Sequence, residues 1–170
     1  MPKLKIKKFD MNSIAQKCAS GNPPTITIIG RRMSGKSVLV KDILYNVKDI
    51  VGNVICMSGT EEGNEFYKNI MHPLCVHGNF NKPIVTGLIK RQKKTINMLK
   101  THEIESMSKS DIITGLLLDD LGFDKKIAKD EDLRMIFMNG RHWKIFFIMT
   151  LQYMMGLPPD LRTNIDYVFV

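Results

Sequence analysis

The sequence predicts a three-layer α/β fold with a mostly parallel central sheet covered by helices on both faces. Three observations carry this prediction. Short runs of β-branched and aliphatic residues alternate with stretches of helical periodicity, as in βαβ units. These runs lack polar alternation, which is typical of strands buried on both faces. A glycine-rich segment joins the first of the runs to the first long helical stretch.

The chain is predicted to begin with a basic arm and a short helix over residues 1–23. Lysines dominate the first eight residues, and Asp10 is placed to cap a helix with an apolar stripe at residues 11–18. Glycine and two prolines at residues 21–24 then break the chain. We expect residues 24–170 to form the main folded domain.

Strands and helices then alternate along residues 24–170. The strands are predicted at residues 25–29, 54–57, 115–119, 144–150 and 165–170. The long helices are predicted after Gly35, at residues 85–99 and at residues 130–138. The sequence stops directly after the fifth predicted strand, so we expect this domain to be truncated at its C-terminus.

Composition narrows the classes of function. The chain has 170 residues, 44% of them hydrophobic, which is enough to form a core without disulfide bonds or structural metals. The 25 Lys and Arg exceed the 17 Asp and Glu, and the net charge of +8 favours an anionic partner such as nucleic acid or an acidic membrane surface. The longest apolar runs are strand-sized, so no membrane-spanning segment is predicted. Three cysteines without a C-x-x-C pair indicate a reduced, intracellular protein.

The glycine-rich segment matches a phosphate-binding loop at every fixed position. The pattern G-x-x-x-x-G-K-[ST] is formed by Gly30, Arg31, Arg32, Met33, Ser34, Gly35, Lys36 and Ser37. In such loops the backbone amides surround the phosphates of ATP, while the lysine contacts the β- and γ-phosphates and the hydroxyl binds Mg²⁺. These are the roles predicted for Lys36 and Ser37, and a chance glycine-rich turn is the alternative.

Polar residues at the ends of two other predicted strands complete a Mg²⁺–ATP site. Asp119 is predicted to bind Mg²⁺, and Asp120 to orient or deprotonate the attacking water. Gln152 follows the next strand, where open α/β sheets gather ligand-contacting groups, and is a candidate sensor of the γ-phosphate. As alternatives, the two acids cap a turn or helix and Gln152 only holds a loop.

Basic residues give two further hypotheses. Arg141 and Arg162 are candidate arginine fingers, which supply positive charge to a transition state, although each is alternatively an ordinary surface residue. Residues 66–102 contain no Asp or Glu. Clustering of one sign favours contact with a phosphate backbone, and a solvated helix face is the alternative. The candidate DNA contacts in this segment are Lys90, Arg91, Lys93 and Lys94.

The series of motifs resembles the genome-packaging ATPases of large eukaryotic DNA viruses, the poxvirus-type branch of the FtsK/HerA superfamily. The resemblance covers residues 24–170 and includes the phosphate loop and the acids of Leu118-Asp119-Asp120. Its more selective blocks are Thr60-Glu61-Glu62-Gly63-Asn64 with Phe66-Tyr67, Asn139-Gly140-Arg141-His142, Thr150-Leu151-Gln152-Tyr153, and Pro158-Pro159 with Leu161-Arg162-Thr163-Asn164. These later blocks distinguish the chain from the many other proteins that share a phosphate loop.

The resemblance implies an additional-strand P-loop NTPase fold with sheet order 5-1-4-3-2 over the five predicted strands. It implies Mg²⁺-dependent ATP hydrolysis by a homo-oligomeric ring that moves viral double-stranded DNA into a preformed capsid, with capsid or portal-like proteins as partners. An intracellular viral assembly site follows, in the host cytoplasm or nucleus, with the virion as a further location. The residues matching the family roles are Lys36 and Ser37 for phosphate and metal, Asp119 for Walker B, Asp120 as catalytic acid in place of the usual glutamate, Gln152 as sensor, and Arg141, then Arg162, as finger.

Two other classes of function remain open for this sequence. A P-loop kinase would transfer phosphate to a small acceptor, but it would need an arginine-rich lid that the sequence does not clearly contain. A nucleotide-gated DNA-binding module would bind ATP and DNA with little hydrolysis and serve as an assembly scaffold. The selective later motifs favour the DNA-translocating ATPase over both.

Overall fold

The fold is a parallel six-stranded sheet with helices on both faces. It is given by a computed structural model that describes residues 9–101, 107–121, 127 and 129–170. The lysine-rich residues 1–8 of the predicted arm lie outside the described residues. The predicted three-layer α/β fold is confirmed.

Each strand and long helix predicted from the sequence is present close to its predicted position. The strands are β1 (Thr25–Ile29), β2 (Asn53–Ser58), β3 (Val76–His77), β4 (Thr114–Asp119), β5 (Ile145–Leu151) and β6 (Tyr167–Phe169). The described α-helices are α1 (Asn12–Ala19), α2 (Lys36–Val47), α3 (Glu61–Asn64), α4 (Lys82–Lys100), α5 (Lys109–Ile112), α6 (Glu131–Asn139) and α7 (Pro159–Arg162). Asp10 accepts a hydrogen bond from the Asn12 amide at the start of α1, one residue before the N-cap position.

The sheet order is β3-β2-β4-β5-β1-β6, and every neighbouring pair is parallel. In the numbering of the five predicted strands this order reads 5-1-4-3-2 from the β6 edge, as the family resemblance implies. The sixth strand, β3, was not among the five predicted strands. It lies at the opposite edge of the sheet, where Val76 and His77 pair with Cys56 and Met57 of β2. Two residues are too few to produce a periodic pattern, so β3 could not be predicted from the sequence.

Two apolar layers hold the helices on the sheet. Along β4, Leu117 faces one layer while Leu116 and Leu118 face the other, because successive side chains of a strand alternate between faces. The first layer packs helices α1 and α2 on the sheet through Ile14, Cys18, Val40, Ile43 and Val47. The second layer packs α4 and α6 through Val85, Leu88, Ile89, Leu133, Ile136 and Phe137. Burial on both faces explains why the strands read as continuous apolar runs.

Side-chain caps fix where the two helices of the second layer begin. The Asn81 Oδ1 accepts a hydrogen bond from the Ile84 amide, and the Asp130 Oδ1 accepts one from the Leu133 amide. Lys82 lies 3.0 Å from Asp130, so the starts of α4 and α6 are also joined by an ion pair. Within the described ranges, no helix combines the length and apolar character needed to cross a bilayer.

Two of the three cysteines are enclosed by the first apolar layer. Cys18 and Cys56 are fully buried, whereas Cys75 is partly exposed. Burial raises the pKa of the Cys18 thiol to about 12. Burial also raises the pKa of the Cys56 thiol, and the negative charges of Asp119 and Glu61 raise it further. Since the thiolate is the nucleophile, these two thiols are expected to be inert in the folded protein.

We therefore expect only Cys75 to react rapidly with an aromatic disulfide reagent at about pH 8, near the ordinary thiol pKa. All three thiols should react in denaturant. The released chromophore measures both reactions, and Cys75→Ser should abolish the rapid one. Rapid reaction of either remaining thiol in the folded Cys75→Ser protein would contradict the burial of Cys18 and Cys56.

Candidate functional site

The predicted nucleotide-site residues meet at the carboxyl ends of β1, β4 and β5. Gly30, Asp120 and Gln152 are the first residues beyond these three strands. The strands are neighbours in the sheet, and the Gly30 amide donates to the Leu151 carbonyl at 3.0 Å. In open α/β sheets this edge is where ligands bind. The structure thus brings together the phosphate loop, both acids and Gln152.

The phosphate loop leads directly into the amino end of α2. Gly35 occupies the N-cap position with φ of 89°, in the left-handed region that favours glycine. No side chain caps the helix at this position, so the amides of its first turn are not taken up by an N-cap side chain. Free amides at a helix amino terminus form an anion-binding site. The loop therefore has the form needed to bind phosphate.

The Lys36 ammonium lies over its own loop. Its Nζ donates to the Gly30 carbonyl at 2.9 Å and to the Arg31 carbonyl at 3.0 Å. These are neutral acceptors, and an anionic phosphate oxygen is a stronger one. Lys36 is therefore placed at the loop where β- and γ-phosphates would bind, with acceptors that a nucleotide can replace.

Asp119 is a buried carboxylate at the centre of the site, only 2% exposed. The Thr150 hydroxyl donates to its Oδ1 at 2.7 Å, and the Ser58 hydroxyl lies 3.5 Å from its Oδ2. Among the described residues, no basic side chain forms an ion pair with Asp119. A buried carboxylate needs a compensating charge, and Mg²⁺ prefers such hard oxygen ligands. The surroundings of Asp119 therefore fit a carboxylate that binds Mg²⁺.

Asp120 is held in an unusual backbone conformation beside Asp119. Its φ of 44° lies in the left-handed region, which is rare for residues other than glycine. The Thr150 hydroxyl accepts a hydrogen bond from the Asp120 amide at 3.1 Å, and the Gln152 amide group donates to the Asp120 Oδ1 at 2.8 Å. A side chain at Gly59 would come within 2.7 Å of the Asp120 carbonyl, so only glycine allows this approach. These contacts fix the direction of the Asp120 carboxylate.

Arg141 lies near the amino ends of the strands, whereas the phosphate loop lies at their carboxyl ends. It precedes β5 and forms an ion pair of 2.6 Å with Asp166, which also accepts the Thr25 amide at 2.9 Å. The seven residues of β5 separate the two ends of the strands by roughly 20 Å, a distance that an arginine side chain cannot span. Arg141 therefore cannot reach the nucleotide site of its own chain, and a finger role requires a neighbouring subunit.

Arg162, the second candidate finger, lies at the end of α7 in the segment that follows Gln152. It is half-buried, and its Nε donates to the Leu157 carbonyl at 2.7 Å. This bond ties the guanidinium to its own segment of the chain. Neither arginine forms a described hydrogen bond or ion pair with the two acids of the site.

The candidate DNA contacts lie on one exposed face of α4. Val85, Leu88 and Ile89 are buried on the other face of this helix. Gln92 is fully buried and donates to the carbonyls of Ile112, Trp143 and Lys144, which ties α4 to the amino ends of β4 and β5. Within the described part of the chain, none of the four exposed cations forms an ion pair. These cations are Lys90, Arg91, Lys93 and Lys94.

Two hydroxyl-bearing residues of the site could not be identified from the sequence. Ser58 and Thr150 are the residues that contact Asp119, yet each reads as an ordinary strand residue. Their one distinguishing feature is a polar side chain at the end of an otherwise apolar strand. Because their role depends on which strands are neighbours, it becomes visible only once the sheet order is known.

A protein-family model described as Poxvirus A32 protein matches residues 6–170. The uncharacterized protein 075L of invertebrate iridescent virus 6 is 37% identical over 168 residues, which are 97% of this chain and 62% of that protein. The uncharacterized protein L437 of Acanthamoeba polyphaga mimivirus is 32% identical over 169 residues, which are 99% of this chain and 57% of that protein. The chain thus spans less than two thirds of these curated relatives.

A solved structure of EssC (ATPases 2 and 3) from Geobacillus thermodenitrificans superposes with a TM-score of 0.59. The sequence identity is 16%, and the match covers 86% of this chain and 32% of that chain. At this identity the likeness establishes the fold alone, which is that of a P-loop ATPase domain.

We expect Thr150→Val to lower the free energy of unfolding by about 1–3 kcal/mol, since it leaves the Asp120 amide and an Asp119 oxygen without their partner. Urea denaturation measures the change. Thr27→Val is the matched control, because Thr27 is fully buried in β1 and its hydroxyl has no hydrogen-bond partner among the described residues. That control should be neutral or stabilising, and an equal loss in both variants would show that the bonds of Thr150 are not the cause.

Proposed function

The chain belongs to the poxvirus A32 protein family, and on that premise we propose that it binds Mg²⁺–ATP and hydrolyses it to move double-stranded DNA. The observation that carries the proposal is the meeting of the phosphate loop, the two acids and Gln152 at one edge of the sheet. Family membership supports an ATPase of the genome-packaging type. The DNA substrate is inferred from the family together with the basic surface of α4.

Nucleotide binding is assigned to the loop from Gly30 to Ser37. The amides at the start of α2 and the Lys36 ammonium supply positive potential for the phosphates. Ser37 and Asp119 would hold Mg²⁺, which when bound neutralises charge on the β- and γ-phosphate oxygens. This assignment also accounts for a carboxylate buried without an ionic partner among the described residues.

Hydrolysis is assigned to Asp120, with Gln152 as its positioning partner. The bond from Gln152 occupies one carboxylate oxygen and fixes the plane of the group. The other oxygen is then directed to accept a hydrogen bond or proton from a water that attacks the γ-phosphate. Gln152 lies beside this position and can change its hydrogen bonds when the γ-phosphate is present or absent, which is the behaviour expected of a sensor.

Movement of DNA is assigned to an oligomeric ring of this chain. The exposed cations of α4 would contact the phosphate backbone without reading its sequence. In a ring, Arg141 of one subunit would leave Asp166 and approach the nucleotide of its neighbour, which would make hydrolysis depend on assembly. Capsid or portal-like proteins would anchor the ring at an intracellular viral assembly site, in the cytoplasm or nucleus, or in the virion.

ATP hydrolysis should require Mg²⁺, rise with long double-stranded DNA and disappear in Lys36→Ala. Asp120→Asn should retain nucleotide binding and lower kcat by about 10²- to 10⁴-fold, the usual contribution of a general base. Phosphate release measures turnover, and Lys41→Ala on the exposed face of α2 is the control for loss of a lysine. A rate of hydrolysis that does not change with DNA, together with phosphate transfer to a small acceptor, would instead support a kinase.

Lys90→Gln with Lys94→Gln should weaken binding of a labelled DNA duplex and flatten its salt dependence. The slope of log K against log salt should fall by about 0.9 for each DNA phosphate that the variant no longer neutralises. Fluorescence anisotropy over a range of salt concentrations measures this slope. The matched control is Lys41→Gln on α2 with Lys48→Gln at its C-cap, which removes the same charge from the other face of the sheet. An equal change in both double variants would assign the effect to net charge rather than to α4.

A further inference from the structure

A tyrosine hydroxyl is buried in the layer that contains α2 and the end of β2. Tyr67 is 1% exposed and belongs to the same apolar cluster as Cys56 and Val40. Within the described residues, its hydroxyl has no hydrogen-bond partner. Buried tyrosine hydroxyls normally find a partner, so one without any points to a group that arrives with a ligand.

Tyr67 lies on the same face of the sheet as Asp119 and α2, whose first turn contains Ser37. Asp119 follows Leu117 of this layer by two residues, and side chains two residues apart on a strand share a face. Burial raises the pKa of Tyr67, the negative charge of Asp119 raises it further, and the Ser37 hydroxyl acts in the opposite direction. Within the described residues, neither of them forms a hydrogen bond with the hydroxyl. A tyrosine hydroxyl is protonated at neutral pH, so it can donate one hydrogen bond and accept another.

A second buried carboxylate fixes the backbone at Tyr67. Glu61 is 1% exposed, and its two oxygens accept the Tyr67 amide at 3.0 Å and the Lys68 amide at 2.8 Å. Glu65, with φ of 47°, ends α3 and turns the chain between these groups. The short helix α3 and the turn after it thus hold the backbone of Tyr67 in place. This arrangement explains why a glutamate is buried here without a cation partner among the described residues.

We propose that Tyr67 is a positioning residue of the Mg²⁺–ATP site, and that its hydroxyl hydrogen-bonds to a water ligand of the metal held by Ser37 and Asp119. This inference rests on the proposed function of that site. Mg²⁺ in nucleotide sites keeps several of its waters, and protein groups can accept hydrogen bonds from them. Partners of this kind orient the metal site and tune its affinity.

Tyr67→Phe removes only the hydroxyl, and its effect is measured on metal-dependent binding rather than on turnover. The probe is a fluorescent, non-hydrolysable ATP analogue titrated at a series of Mg²⁺ concentrations and again with EDTA. We expect the half-saturating Mg²⁺ concentration to rise about 10-fold, as for other partners of metal ligands, with unchanged binding in EDTA. Tyr45→Phe is the control, because Tyr45 lies on α2 with 66% exposure.

Thermal unfolding separates this role from a purely structural one. Tyr67→Phe removes an unpaired buried hydroxyl, so the melting temperature without ligand should stay the same or rise, while the gain produced by Mg²⁺ with the analogue should shrink. Glu61→Gln keeps the hydroxyl but weakens the acceptors that hold Tyr67, and it should shift Mg²⁺ dependence in the same direction.

Wild-type Mg²⁺ dependence in both Tyr67→Phe and Glu61→Gln would overturn the inference while leaving the proposed function intact. A wild-type protein that binds no nucleotide with or without Mg²⁺ would overturn both. The two failures are therefore distinct, because the first is seen in the variants and the second in the unchanged protein.

Discussion

The hydroxyl of Thr150 joins the two acids on which the site depends. It donates to the Asp119 carboxylate and accepts from the Asp120 amide, so a single side chain of β5 fixes the end of β4. That bridge exists only because β4 and β5 are parallel neighbours in register. The same pairing continues through β1 to the phosphate loop. Sheet order therefore places the phosphate loop, Asp119 and Asp120 together.

Features encoded locally could be predicted from the sequence. The phosphate loop, the apolar strands and the helices α2, α4 and α6 each depend on residues close together in the chain, so their patterns identify them. The remaining features depend on distant contacts. β3 forms by pairing with the exposed edge of β2. Glu61 is buried because its carboxylate accepts backbone amides of the turn that follows α3.

Arg141 illustrates how position along the sheet limits a role taken from a motif. Its place in the family pattern predicts an arginine finger, but its position before β5 puts it near the amino ends of the strands, where it forms an ion pair with Asp166. The basic surface of α4 is tied to the amino ends of β4 and β5 through Gln92. If the proposed function is correct, the elements that face a neighbouring subunit or DNA lie toward the amino ends of the strands. The nucleotide lies at the carboxyl ends, and the sheet between them couples hydrolysis to movement of DNA.

The ammonium of Lys36 donates to two carbonyls of its own loop. If the proposed function is correct, an incoming phosphate would exchange these hydrogen bonds for others to an ammonium that the loop already holds in place. Little conformational entropy is lost in such an exchange. The reverse exchange would release the spent nucleotide, which would suit an enzyme that must empty and refill its site many times in succession.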